Sequence, residues 1–145
     1  MNLEPRLTNG PVVAVGAVAV VDDTILLVRR GRGPAQGEWS VPGGRVEAGE
    51  AVHLAVVREA YEETGLEVVV DRFLGWVERI GDDPLDGTPH HFVILDFAVT
   101  PLDPTQPLVA GDDAAEARWV PLADITDLRL VDGLYEFLRD THVID

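Results

Sequence analysis

The 145 residues carry 26 Asp and Glu against 11 Lys and Arg, a net charge of −15 that repels polyanions at long range and excludes a DNA- or RNA-polymer binder. The length and the 46% apolar content suit a single domain, 1–145, with its own core, and the longest apolar run, 11–21, is far shorter than the roughly 20 residues of a membrane helix. The first ten residues lack the basic start and apolar stretch of an export signal, so a cytoplasmic location is expected, and with no cysteine any metal must sit on oxygen or imidazole.

In chain order, 12–21 is apolar throughout and Asp22-Asp23 is a turn signal before a second β-type run, 25–28, which together predict a hairpin. Residues 29–38 are a loop rich in Gly, Arg and Pro. Trp39-Ser40-Val41 offers a short strand that Pro42-Gly43-Gly44 breaks, with a loop beyond. Residues 51–64 contain good helix formers and no Gly or Pro, and Gly65 follows as a left-handed stop, so this is the clearest helix. Strands are expected at 67–70, 73–80, 91–100 and 117–120, separated by turn-rich loops at 81–89 and 101–113. Leu130, Leu134, Phe137 and Leu138 have the spacing of a closing amphipathic helix. Hairpins around one central helix with another at the end predict an α/β (α+β) fold, a mixed sheet covered on both faces.

At about 100° per residue, Glu59, Glu62 and Glu63 share one sector of the 51–64 helix, with Leu54, Val57 and Tyr61 on the side expected to face the core. Like charges at this spacing, near a helix C-terminus, cost a few tenths of a kcal/mol each, a penalty that a divalent cation reverses. Taken alone, such a cluster is most often a solvated face; its surroundings make the difference. Gly44, Glu50, Arg58, Glu59, Ala60, Glu62, Glu63, Gly65 and Leu66 match G-x5-E-x7-R-E-U-x-E-E-x-G-U, where U is a bulky aliphatic residue and only Ala60 is smaller than usual. This is the box of the Nudix hydrolases, and the chain resembles that family over roughly 11–142, including the Trp39-to-Gly44 entry.

The resemblance implies an α/β/α sandwich and a hydrolase that cuts a pyrophosphate bond with Mg²⁺ or Mn²⁺. Glu59, Glu62 and Glu63, with the Gly43 carbonyl, match the metal ligands; hard cations take oxygen donors and share their shell with phosphates. Arg58 would orient the box carboxylates and Glu50 complete the charge network, while Arg30 and Arg45 match phosphate-binding cations. Candidates for the general base are Glu62, Glu63, Glu116, Asp82, Asp83 and Asp86, with Glu116 also a candidate substrate contact. His90 or His91 could donate to substrate, although a strand-edge place is the commoner one. Trp39 and Trp76 could stack on a base but more often such residues pack in a core, and Phe92 and Tyr61 are read as packing. The overall pattern is similar to ADP-ribose pyrophosphatases, with 8-oxo-dGTP or other NTPs, dinucleoside polyphosphates, or a non-cutting nucleotide-sugar sensor as alternatives. The partner implied is a small nucleotide, with no membrane, and a homodimer is compatible with the resemblance.

Overall fold

The computed structural model describes residues 10–33, 35–84 and 86–145. The N-terminal reading as a chain without an export signal falls on residues that lie, but for Gly10, outside that set. Strands β1 (Val12–Val21) and β2 (Thr24–Arg30) form the expected hairpin, closed by Asp22 and Asp23. Both have positive φ, 49° and 61°, the pair of left-handed residues that a tight two-residue hairpin of matching twist requires.

The sheet runs β3-β2-β1-β6-β5, with β3 (Trp39–Ser40), β5 (Val68–Asp82) and β6 (Pro89–Pro101). Strand β7 (Ala114–Pro121) pairs with β2, and β4 (Gly43–Arg45) pairs with β1. The β1–β6 pairing is parallel and the other ladders are antiparallel, so the sheet is mixed as expected. Helix α1 (Val52–Thr64) covers one face, and a 3-10 turn (Leu122–Asp127) with helix α2 (Leu134–Asp140) covers the other. Alternation along the central strands divides the core accordingly. Val15, Ala17, Ala19 and Leu26 pack with α1, whereas Val18, Ile25 and Leu27 pack with Trp39, Phe137 and Leu138.

Four local expectations are corrected. Residues 43–45, read as the start of a loop, form β4, because two glycines let this backbone lie directly on β1. The separate strands 67–70 and 73–80 are one strand, β5, carried through by register shifts at Val70/Arg72 and Phe73/Gly75. The closing helix starts only at Leu134, after Gly133 at φ 82°, and Leu130 instead bridges to Trp39. In α1 the residues pressed on the sheet are Ala55, Val56 and Ala60, while Leu54 and Tyr61 are more than half exposed. Small side chains allow the helix to approach the strands closely, and a Leu or Tyr there would hold it off. Among the described residues, no helix is long and apolar enough to cross a membrane.

Candidate active site

Helix α1 ends where Gly65 turns left-handed (φ 78°) and its N–H donates to the Tyr61 carbonyl. Immediately before that end, Glu59 and Glu63 point inward and are 7% and 6% exposed, under the Gly43-Gly44 backbone of β4. A Cβ on Gly44 would stand 2.5 Å from the Glu59 carboxylate, and one on Gly43 would stand 2.1 Å from the Val15 carbonyl. No side chain fits at Gly43 without moving the β1 backbone, and one at Gly44 would displace the Glu59 carboxylate. The Gly43 N–H donates to Glu63 Oε1 at 2.9 Å.

Arg58 ties this end of the molecule together. Its Nε and Nη2 hold both oxygens of Glu50 at 2.8 and 3.0 Å, Nη1 reaches Glu59 at 2.7 Å and Glu62 at 3.2 Å, and Nη2 also donates to the Arg45 carbonyl at 2.9 Å. The Arg58 hydrogen bonds, with help from the Glu47 N–H, hold the Glu50 carboxyl down to about 2. Glu50 and Arg58 thus form a charge-assisted clamp that sets the rotamers of the carboxylates beside it.

Burial dominates the other two acids. It raises the Glu59 carboxyl, against the Arg58 hydrogen bond and with further upward pressure from Glu62 and Asp112. It pushes the Glu63 carboxyl up to about 7, against the Gly43 N–H and the positive charge of Arg30. Arg30 therefore stands close enough to act on Glu63 electrostatically.

Carboxylate oxygens of Glu59, Glu62 and Asp112 all lie within 4.8 Å of one another. Asp112 comes from the loop after β6, which docks on the helix end. The Val109 N–H donates to the Thr64 carbonyl at 2.9 Å, and a Cβ on Gly111 would lie 2.6 Å from the Glu62 carbonyl. Three clustered anionic oxygens without a cation are repulsive, and as a donor set they suit Mg²⁺ or Mn²⁺. Glu63 stands beside this triplet and not within it.

Sequence reasoning did not single out Asp112. Its only signal was its place in an acidic Gly111-Asp112-Asp113 run at the end of the turn-rich 101–113 loop.

Between β4, β5, β6 and the start of α2 lies a cleft of about 850 Å³, bordered by Arg30, Gly43, Gly44, Arg45, Arg79, His90, Phe92, Asp96 and Phe137. The Arg45 guanidinium lies 5.9 Å from the centre of the Phe92 ring. Arg30 and Arg45 thus both face the cleft. Glu116 does not border it; it pairs with Arg118 at 2.8 Å and Arg29 at 3.5 Å. Asp82 ends β5, Asp83 is buried and its N–H donates to the Thr88 carbonyl at 2.8 Å, and Asp86 accepts from the Thr88 N–H at 2.8 Å. Pro84 reaches the cleft rim. His91 is bonded to Glu78 at 2.7 Å. Trp39 is core, and Trp76, expected to be, is 60% exposed on edge strand β5.

A model of the NUDIX domain family matches residues 10–141. The chain is similar to the ADP-ribose pyrophosphatase of Methanocaldococcus jannaschii, 40% identical over 123 residues that span 85% of this chain and 69% of that protein. It is also similar to putative 8-oxo-dGTP diphosphatase 2 of Mycobacterium tuberculosis, 46% identical over 79 residues, 53% of each chain. Among solved structures, a MutT NUDIX hydrolase from Burkholderia pseudomallei superposes with a TM-score of 0.74 at 30% identity, covering 89% of this chain and 96% of that one.

Proposed function

The chain belongs to the NUDIX family of hydrolases, and from that premise we propose that it is a divalent-metal-dependent pyrophosphohydrolase whose preferred substrate is ADP-ribose. The observation that carries this reading is the convergence of Glu59, Glu62 and Asp112 beside a glycine turn that opens onto a nucleotide-sized cleft. The similarity to an ADP-ribose pyrophosphatase over most of the chain supports the substrate.

Glu59, Glu62 and Asp112 would hold the cation, which when bound supplies Lewis acidity to the diphosphate and to the attacking water. Arg30 and Arg45 bind phosphate oxygens from the cleft side, Arg45 over the Phe92 ring. Arg58 and Glu50 fix the carboxylate geometry. Glu63 takes the proton of the attacking water, and its hydrogen bond from Gly43 holds it at the turn. The displacement at phosphorus then releases AMP and ribose 5-phosphate.

The 46% identity to a putative 8-oxo-dGTP diphosphatase favours a second reading, hydrolysis of an oxidised nucleoside triphosphate at the same centre. A panel of ADP-ribose, NADH, 8-oxo-dGTP and diadenosine polyphosphates with Mg²⁺ separates the two. The highest kcat/KM is expected for ADP-ribose, whereas a higher value for 8-oxo-dGTP selects the second reading. Tight binding of one compound without turnover of any contradicts both and makes the protein a sensor.

A further inference from the structure

Side chains at Phe92, Ile94 and Asp96 alternate onto the same face of β6 and line the cleft floor. Asp96 is 5% exposed, and among the described residues its Oδ1 is one of two buried side-chain polar atoms without a hydrogen-bond partner, the other being His90 Nδ1. A buried carboxylate oxygen left unpaired costs a few kcal/mol, which a ligand's donor would recover. The strands on either side are cut away around it. Opposite Asp96 stand Gly16 on β1 and Gly75 on β5, and a Cβ on Gly16 would come within 2.0 Å of Oδ1. Gly16 is in turn opposite Gly43 on β4, so Gly75, Asp96, Gly16 and Gly43 form one row across the sheet. Two strand spacings separate Asp96 from the glycine turn, roughly 10 Å, about the reach of a nucleoside from its phosphate.

We propose that Asp96 is a specificity-determining residue that accepts hydrogen bonds from the N–H donors of the substrate's nucleobase, seated on the cleft floor. The walls choose base over sugar. Val77, Ile94, Leu134 and Phe137 are apolar, which suits the flat faces of a base and would strip water from ribose hydroxyls without replacing it. Burial pushes the Asp96 carboxyl up to about 7 against the positive charge of Arg79, which also borders the cleft, so a donor that pairs with it adds to a charge that Arg79 relieves only in part. This inference rests on the proposed hydrolase only in taking a nucleotide as ligand.

The test needs no turnover. Calorimetric affinities for AMP, GMP, CMP, UMP and ribose 5-phosphate, with Mg²⁺ present, are measured on the wild type and on Asp96→Leu. The wild type is expected to prefer at least one nucleotide tenfold or more over ribose 5-phosphate, and Asp96→Leu to weaken that nucleotide at least tenfold without changing ribose 5-phosphate. No nucleotide preference in the wild type, or unchanged nucleotide affinity in the variant, overturns the assignment even where the hydrolysis panel succeeds; conversely, the expected pattern stands even where that panel fails. If Asp96→Leu does not fold, Asp96→Asn keeps one acceptor and adds a donor. It should reorder preference among the four nucleotides, and the same order at the same affinities contradicts the proposal.

Discussion

Glu59 and Glu63 are one helical turn apart, yet they meet different partners: Arg58 and the Glu62–Asp112 pair for the first, a backbone N–H for the second. This split predicts the behaviour of Glu63→Gln. The amide keeps the Gly43 hydrogen bond and loses the basic oxygen, so turnover of ADP-ribose should fall about 100-fold or more while the circular dichroism spectrum is unchanged, in line with the loss of a general base. Undiminished turnover would remove Glu63 from the reaction. Asp96 gives a prediction for pH. Its carboxyl stands at about 7 in the folded chain against an ordinary 3.8, because of burial, so the folded state binds the proton more tightly than the unfolded one. Stability is therefore lost as pH rises through that window, and the loss is complete above about 7. Asp96→Asn does not titrate, and Glu63 contributes equally to both proteins. The melting temperature of Asp96→Asn relative to wild type should rise from pH 4 to pH 8; a constant difference would show that Asp96 carries no such strain. At this scale the box residues were legible because their spacing is fixed by one helix and its preceding turn. Asp112 was not, since only the docking of a distant loop on the helix end brings it to Glu59 and Glu62.

Among the elements, β4 decides the geometry of the site. Its three residues look like a loop in sequence, and they become a strand because Gly43 and Gly44 have no side chains to clash with β1 or with Glu59. The two glycines should fail in different ways when replaced. Gly44→Ala meets the end of a side chain, so Glu59 must move, and kcat/KM should drop at least tenfold with little change in melting temperature. Gly43→Ala meets the Val15 carbonyl, which cannot yield without breaking the β1 ladder, and it should lower the melting temperature clearly. Paired kinetic and melting measurements check this, and the reverse pattern would mean that Gly44 is structural only. The face of α1 shows why apolarity alone misled. Leu54 and Tyr61 are large and apolar but turn outward, because the part of this helix that lies against the sheet is filled by Ala55, Val56 and Ala60. Strand β5 reads as two in sequence for a related reason: the irregularities at Arg72 and Gly75 are bulges within one ladder, which only its partner β6 reveals.

For the molecule as a whole, the order of hairpins and helices made a mixed sheet between helices legible. The parallel β1–β6 pairing was not, because it joins strands about 80 residues apart with no local signal. The net charge of −15 includes repulsion concentrated at the helix end, and a bound cation relieves it. Binding to the folded state alone stabilises by about 2.7 kcal/mol at a hundredfold excess over Kd. For a chain of this size Mg²⁺ should then raise the melting temperature by about 5–10 °C. The same titration on Glu59→Gln should give a much smaller rise, and an equal rise in both would place the cation elsewhere. The most direct test is ³¹P NMR of ADP-ribose incubated with the wild-type protein and Mg²⁺, before and after excess EDTA. The expected result is AMP and ribose 5-phosphate in equal amounts, with production stopped by the chelator; an inert ADP-ribose, or cleavage that continues under full chelation, would contradict a metal-dependent pyrophosphohydrolase built on Glu59, Glu62 and Asp112.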